Sequence, residues 1–246
     1  MSTTTKVAIV TGSATGIGRA TAWMLADRGY SVVVNYSKSK AEAEEAADGV
    51  RSRGAKVIVV QANVGDDGQV RGMVERTVAE FGGLDVLVNN AATTSFVEHR
   101  DLDGLTESVW DDILQVNVKG TFYACRAAMP HLEGRGGNIV NVASVAGIAG
   151  AGSSIAYAAS KGAVITLTKS LAKAFAPKVR VNAVAPGPVQ TRWLADHQDM
   201  VEQAMKATPL GRPATAEDIA EAIVFLADVT SLMTAQVVVL DGGRTI

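Results

Sequence analysis

The sequence predicts an α/β fold in which helices cover both faces of a doubly wound parallel sheet of about seven strands. Short apolar segments recur along the chain, as in strands buried on both faces of a parallel sheet. Segments with helical periodicity separate them, and this alternation is typical of repeated β–α–β units. The predicted strands are Val7–Val10, Ser31–Asn35, Lys56–Val60, Leu84–Val88, Asn138–Val142, Val179–Val184 and Val237–Leu240, and the main predicted helices lie near 66–81, 106–132, 155–176 and 214–227.

Size and composition favour one soluble domain spanning residues 1–246. The chain has 246 residues, of which 48% are apolar and 20% charged, as in ordinary globular proteins. A formal net charge of −2 and the lack of a Lys/Arg block argue against nucleic acid as a partner. Cys125 is the single cysteine, so neither an intramolecular disulfide nor a cysteine-based metal site is possible.

The N-terminal residues Met1–Lys6 run directly into the first apolar strand and lack the hydrophobic region of a signal peptide. No apolar stretch reaches the roughly 18 residues that a membrane span needs. We therefore expect a cytoplasmic protein without a membrane partner.

A glycine-rich turn, Thr11-Gly-Ser-Ala-Thr-Gly-Ile-Gly18, lies between the first strand and a helix. Glycines let the backbone approach a ligand closely, and the free N–H groups of a helix N-terminus favour negative charge. The strand–turn–helix context predicts a nucleotide site of the Rossmann type. The turn is not a Walker loop, because no Gly-Lys-Ser/Thr sequence ends it.

The residues after the second strand predict which dinucleotide binds there. An acid at this position binds the ribose 2′-hydroxyl of NAD. The segment Asn35-Tyr36-Ser37-Lys38 has none, and Asn35, Ser37 and Lys38 could bind the 2′-phosphate of NADP, with help from Arg19 or Lys40. This favours NADP, with NAD as the alternative.

Tyr157 and Lys161 are the predicted centre of the chemistry. On a helix from about Ile155 to Ala176, a spacing of four residues places both side chains on one face. A phenol titrates near pH ~10, and a neighbouring ammonium would lower its pKa towards the range useful for acid–base catalysis. The alternative interpretation is a surface tyrosine covered by a lysine stem.

Other polar residues are predicted at the same edge of the sheet. Ser144 follows the fifth strand, and a turn rigidified by Pro186 follows the sixth. Asn117 lies within a helical pattern, where it could bend the helix and hold water. The mixed segment near 190–213 predicts a lid over the ligand edge, or alternatively an ordinary pair of surface helices.

In this order and at this spacing, the motifs resemble those of the short-chain dehydrogenase/reductase family over Thr11–Gly243. The resemblance implies that Tyr157 is the catalytic acid/base and that Lys161 lowers its pKa and binds the nicotinamide ribose. It also implies that Ser144 polarises the substrate oxygen and that Asn117 holds a water of a proton relay. The residues expected to bind the cofactor are Gly12, Ser13, Thr15, Gly16, Ile17, Gly18, Asn35, Tyr36, Ser37, Lys38, Asn63, Val64, Asn90, Ala91, Tyr157, Lys161, Pro186, Gly187, Val189 and Thr191.

Three departures from the family pattern bear on the cofactor. Ala92 replaces a usual glycine, Asn63 replaces a usual aspartate, and Thr15 stands where many NADP-preferring members have a basic residue. Within the family, the sequence resembles the 3-oxoacyl-carrier-protein reductases in general character, particularly in Asn35-Tyr36 and 211–213. The segment 129–133 is poorly basic for docking an acidic carrier, so a small or medium carbonyl compound or secondary alcohol is the predicted substrate.

The resemblance also implies that no metal is needed and that the protein is a homo-oligomer, since family members commonly form tetramers. A non-catalytic dinucleotide-binding regulator is an alternative of a different class, although such proteins often lose the Tyr or the Lys. A lyase, epimerase or dehydratase with the same Tyr–Lys pair is a third possibility. A partly apolar substrate pocket is expected from Ser95, Phe96, Val145, Ile148 and Trp193.

Overall fold

The protein was analysed as a computed structural model, which describes residues 5–192 and 206–245. Trp193 and most of the predicted lid lie outside the described residues.

The described strands form one sheet in which every neighbouring pair is parallel, in the order β3-β2-β1-β4-β5-β6-β7. Val10 of β1 is in register with Val34 of β2 on one side and with Val88 of β4 on the other. This arrangement confirms the predicted doubly wound sheet. The strands are β1 (Val7–Val10), β2 (Ser31–Tyr36), β3 (Val57–Gln61), β4 (Val86–Asn89), β5 (Asn138–Val142), β6 (Arg180–Pro186) and β7 (Val237–Leu240).

Helices connect the strands and cover both faces. They are α1 (Gly16–Asp27), α2 (Lys40–Arg51), α3 (Asp67–Phe81), α4 (Glu107–Leu114), α5 (Thr121–Glu133), α6 (Ala146–Ala149), α7 (Ile155–Phe175) and α8 (Ala216–Val224). The helix predicted over 106–132 is divided by a π-helical segment, Gln115–Gly120, and a second one, Phe225–Val229, follows α8. Periodicity alone did not reveal either interruption.

The two faces of the sheet have separate cores because successive residues of a strand point to opposite sides. Ala8 and Val10 of β1 pack in the layer that contains Leu25 of α1. Val7 and Ile9 pack in the layer that contains Leu132 of α5. All of β1 is buried, which explains why its sequence is wholly apolar rather than alternating.

The direction in which successive strands are added to the sheet reverses between β1 and β4, because β2 and β3 lie on one side of β1 and β4 to β7 lie on the other. Ligands of open α/β sheets bind at the carboxyl ends of the strands beside such a switch point. Within 5–192 and 206–245, no helix combines the length and apolar character that crossing a bilayer requires.

Candidate active site

A cavity of about 1270 Å³ lies along the carboxyl edge of the sheet and is lined from the end of β2 to the segment after β7. It brings together most of the site residues expected from the sequence. These are Gly12, Thr15, Gly16, Ile17, Asn35, Tyr36, Ser37, Lys38, Asn63, Val64, Asn90, Ala91, Ser144, Tyr157, Lys161, Pro186, Gly187, Val189 and Thr191. Ser13, Gly18 and Asn117 are not among its lining residues.

The glycine turn forms a wall of this cavity at the N-terminus of α1. Gly12 has φ +61°, and a Cβ there would lie 2.9 Å from the Cα of Ala91. The side-chain amide of Asn90 donates to the carbonyl oxygens of Thr11 and Gly12, at 2.9 and 3.0 Å. These contacts hold the turn against the end of β4. A side chain at residue 12 would displace the turn from this position.

Gly18 serves the packing of the turn. A Cβ at this position would lie 2.6 Å from the carbonyl oxygen of Gly12 and 2.5 Å from the Asn90 amide nitrogen. Ser13 is likewise internal, since it is fully buried and its hydroxyl donates to the carbonyl of Val10 at 2.7 Å. Neither Gly18 nor Ser13 therefore presents a side-chain group to the cavity. This corrects the expectation that both residues contact the cofactor through their side chains.

Asn35 requires a correction as well. Its side-chain oxygen accepts from the backbone N–H of Gly12 at 3.0 Å, and its amide donates to the carbonyl of Ala62 at 3.0 Å. With 1% of the residue exposed, both ends of the amide are used inside the protein. Asn35 therefore ties the glycine turn to β2 and β3 and is not a phosphate ligand.

Ser37 and Lys38 do line the cavity at the end of β2, as expected. Arg19 does not, because its guanidinium lies over the Trp23 ring, 5.3 Å from the centroid, and 4.0 Å from Glu45. Lys40 is also absent from the lining. In their place the structure brings Arg192, from the segment after β6, to this end of the cavity.

Asn63 and Val64 follow β3 and line the cavity beside the π-helical segment. The Asn63 side-chain oxygen accepts from the N–H of Gly65 at 3.0 Å, which closes a local turn. A Cβ on Gly120 would lie 3.0 Å from the carbonyl oxygen of Val64. The glycine therefore allows the π-helical segment to pack closely against this part of the cavity wall.

Tyr157 lies in the first turn of α7, which begins after Ser154. The Ser154 hydroxyl caps the helix by accepting from the Tyr157 N–H at 3.2 Å. Burial raises the pKa of the Tyr157 phenol to about 12, and a hydrogen bond from Ser144 opposes part of this rise. The expectation of a lowered pKa is thus wrong for the arrangement in the structure, where desolvation is the largest effect.

Lys161 lies one turn further along α7 and is 3% exposed. Its ammonium donates to the carbonyl oxygen of Val142, at the end of β5, at 2.8 Å. The nitrogen is 5.6 Å from the centroid of the Tyr157 ring. Burial lowers the pKa of Lys161 to about 8, since a charged ammonium is disfavoured away from water.

Asn117 lies in the π-helical segment and is buried. Its side-chain oxygen accepts from the N–H of Thr93 at 2.8 Å, and its amide donates to the Thr93 carbonyl and to the Ser160 hydroxyl, both at 3.0 Å. The side chain thereby connects the loop after β4 to α7. Any water that it holds must use its backbone or an atom shared with these partners.

Known proteins resemble this chain over nearly its whole length. The profile of the family described as Enoyl-(Acyl carrier protein) reductase matches residues 12–245. The 3-oxoacyl-(acyl-carrier-protein) reductase FabG of Staphylococcus aureus is 41% identical, with 97% of this chain and 98% of that protein covered. A candidate ketoacyl reductase of the granaticin polyketide synthase of Streptomyces violaceoruber is 44% identical, with 96% and 95% covered.

A solved structure agrees in both fold and sequence. The short-chain dehydrogenase of Burkholderia cenocepacia in complex with NADP superposes with a TM-score of 0.92 at 34% identity, over 98% of each chain. This chain belongs to the short-chain dehydrogenase/reductase family. It is an oxidoreductase acting on carbonyl or alcohol groups.

Some lining residues of this short-chain dehydrogenase/reductase were not found from its sequence. Arg192, Ser39, Arg244 and Asp112 all line the cavity. A spacing pattern could not find them, because each is brought there by a different connection. The Thr94 and Ser153 hydroxyls, 2.5 Å apart, form a polar pair, of which Ser153 lines the cavity. Of the expected pocket residues that are described, Phe96 and Val145 line the cavity, whereas Ser95 and Ile148 do not.

Proposed function

We propose that the protein transfers a hydride between NADP(H) and a carbonyl or secondary alcohol, with Tyr157 as the general acid/base. The observation that supports this most directly is the hydrogen bond between Ser144 and Tyr157 in the wall of the cavity that the glycine turn also lines. A proton donor and a polarising hydroxyl therefore face the space in which a dinucleotide and a carbonyl compound would meet.

The cavity fits a dinucleotide. Gly12 lets the turn pack against Ala91, since a Cβ there would lie 2.9 Å from the Ala91 Cα, and the N-terminus of α1 beside this turn favours phosphate. NADP is favoured over NAD because Ser37 and Lys38 line the end of β2 without an acid, and because the Burkholderia relative was solved with NADP. We retain as proposed cofactor contacts the expected residues that line the cavity, while Asn35 acts by positioning the turn.

When bound, the cofactor supplies or accepts the hydride. With a pKa of about 12, Tyr157 is protonated at neutral pH and holds the proton that the substrate oxygen needs during reduction. Ser144 can donate to the same oxygen as negative charge develops on it. Lys161 adds a buried positive charge that favours the phenolate left on Tyr157, which then regains its proton from solvent.

The test is reduction of a panel of small ketones and aldehydes with NADPH, followed by the loss of its absorbance and by mass analysis of the product. A product two hydrogens heavier supports the proposal. An isomer of the substrate would instead indicate the lyase or epimerase class. Binding of dinucleotide without turnover of any substrate would favour the non-catalytic regulator.

A narrower candidate is a 3-oxoacyl-carrier-protein reductase, favoured by the 41% identity to the Staphylococcus aureus enzyme over nearly both chains. Comparison of kcat/KM for an acetoacetyl thioester of carrier protein and for the same acyl group on a short thiol tests it. A carrier preference of about tenfold or more would support this substrate. Equal values would favour small free carbonyl compounds.

We further propose a cytoplasmic homotetramer, in which residues 1–246 form one domain and 190–213 form the substrate loop. Exposed apolar side chains near the edge strand β7 support association of subunits, as Val239 is 42% and Leu232 94% exposed. Light scattering after size exclusion measures the mass directly. A monomer at micromolar concentration would contradict this part of the proposal.

A further inference from the structure

The cavity has a cation at its ribose end that the sequence did not suggest. Arg192 lies 150 residues from Glu42 along the chain, yet its Nη1 is 3.1 Å from Oε1 of Glu42. Its Nη2 is 3.4 Å from the hydroxyl of Ser39, the residue before α2. Arg192 therefore crosses from the segment after β6 to the start of α2, over the edge of the sheet between them.

The neighbours of this arginine are those of an anion site. Arg192, Ser37, Lys38 and Ser39 all line the same cavity. They surround the end of β2, where the adenosine ribose of a dinucleotide binds in this fold. Two cationic and two hydroxyl side chains are suited to a phosphate, and the planar guanidinium can bind it with two parallel hydrogen bonds.

Among the described residues, Glu42 is the one acid paired with the Arg192 guanidinium. The pair is weak enough for a phosphate to replace the carboxylate. The side chains of Arg192 and Glu42 are 62% and 38% exposed. Ion pairs of this exposure contribute little because water solvates both charges. A phosphate ester carries more negative charge than a carboxylate and offers more acceptor oxygens.

We propose that Arg192 recognises the 2′-phosphate of NADP and that Glu42 competes with this phosphate for the guanidinium. Arg192 is thus a specificity-determining residue, and Glu42 limits the affinity for NADP without affecting NAD. The inference rests on the proposed function, because it assigns the cofactor preference of the same site to one side chain.

The experiment uses two nucleotides that differ only by the 2′-phosphate, adenosine 2′,5′-bisphosphate and adenosine 5′-monophosphate. Calorimetric titration of Arg192→Met is expected to show affinity for the bisphosphate reduced by about tenfold, with the monophosphate within about twofold of wild type. Glu42→Gln is expected to bind the bisphosphate several-fold more tightly. The double variant is expected to resemble Arg192→Met, because Glu42 acts only through the arginine.

Arg244→Met is the matched control, since Arg244 also lines the cavity but follows β7 at the other end of the sheet. It is expected to retain the wild-type ratio of the two affinities. Circular dichroism and thermal unfolding confirm that each variant is folded. Parallel titrations with NADPH and NADH, read by nicotinamide fluorescence, extend the comparison to the whole cofactor.

The outcomes separate this inference from the proposed function. If wild type prefers the bisphosphate and Arg192→Met keeps that preference, Arg192 is not the recognition residue and the proposed NADP-dependent function stands. If Arg192→Met weakens both nucleotides equally, the arginine only shapes the cleft and the inference fails. If wild type shows no preference for the 2′-phosphate, both the inference and the NADP assignment fail.

Discussion

The ammonium of Lys161 donates a hydrogen bond to the carbonyl oxygen of Val142 at 2.8 Å. This contact fixes α7 to the end of β5 and holds a buried cation 5.6 Å from the ring centroid of Tyr157. Because this hydrogen bond holds the Lys161 ammonium inside the protein, Tyr157 and Lys161 are not the surface Tyr–Lys pair of the alternative interpretation. Lysine at this depth has a pKa lowered to about 8, close to the pH at which the enzyme would work.

Replacement of Tyr157 by phenylalanine is expected to reduce NADPH-dependent turnover by about 10²- to 10⁴-fold, because the only group lost is the hydroxyl that holds the proton. Affinity for NADPH, measured by nicotinamide fluorescence, should stay within about threefold of wild type, since the ring remains. Unchanged turnover would show that another residue is the acid/base.

The rate of carbonyl reduction is expected to fall as the pH rises through about 8. Lys161 loses its positive charge in this range, and the charge favours the phenolate that forms on Tyr157. Tyr157 itself remains protonated up to about pH 12 and does not cause the fall. The measurement is kcat for reduction from pH 6 to 10 at saturating NADPH. A rate that rises through pH 8 would contradict this assignment.

The same lysine predicts a pH dependence of stability. Its pKa is 10.5 in the unfolded chain and about 8 in the folded protein, so the unfolded state binds more protons between these values. The contribution of Lys161 to the free energy of unfolding therefore increases as the pH rises from about 8 to 10.5. Between pH 7 and pH 10, the free energy of unfolding of wild type is expected to rise relative to Lys161→Met by roughly 1–3 kcal/mol. Urea unfolding of both proteins measures this difference, and equal changes would exclude a depressed pKa.

Substitution of Asn35 by aspartate distinguishes the two roles considered for this residue. The sequence suggested contact with the cofactor, whereas the structure shows internal hydrogen bonds to Gly12 and Ala62. An acid at the end of β2 would be expected to switch preference to NAD if residue 35 contacted the ribose. The structure instead predicts instability, because the carboxylate cannot donate to Ala62 and would be buried beside it. The expected loss is about 1–3 kcal/mol or more, read from chemical denaturation.

Ser37→Asp is the control for this substitution, because Ser37 is exposed and lines the cavity. It should leave stability within about 0.5 kcal/mol of wild type while weakening NADPH binding relative to NADH by like-charge repulsion. If Asn35→Asp is stable and selects NADH, the internal role of Asn35 is refuted.

Gly12→Ala is expected to abolish high-affinity dinucleotide binding and to destabilise the protein. The residue has φ +61°, and the added Cβ would lie 2.9 Å from the Cα of Ala91. Gly29→Ala is the matched control, with φ +79° and no atom within 4 Å of the added Cβ. It should show only the backbone cost of about 1–2 kcal/mol in thermal or urea unfolding, with binding unchanged. Equal binding by both variants would rule out the close approach as the cause.

Local patterns in the sequence were sufficient for the fold and for the centre of the site. Buried strands such as β1 are recognisable because both faces need apolar residues, and the Tyr157–Lys161 spacing follows from the helical repeat. The glycine turn was recognisable because its strand and helix are adjacent in sequence. The lid over 190–213 and the roles of the site residues remain predictions.

Interactions between segments that are distant in sequence became known only from the tertiary structure. The sequence by itself determined that Asn35 lies near the end of a strand and that Arg192 follows a proline turn. It did not determine that Asn35 is used by Gly12 and Ala62, or that Arg192 reaches Glu42. The physical reason is that hydrogen bonding and desolvation depend on which groups surround a side chain. For Tyr157 this reversed the expected direction of the pKa shift, because burial raises the pKa more than the hydrogen bond from Ser144 lowers it.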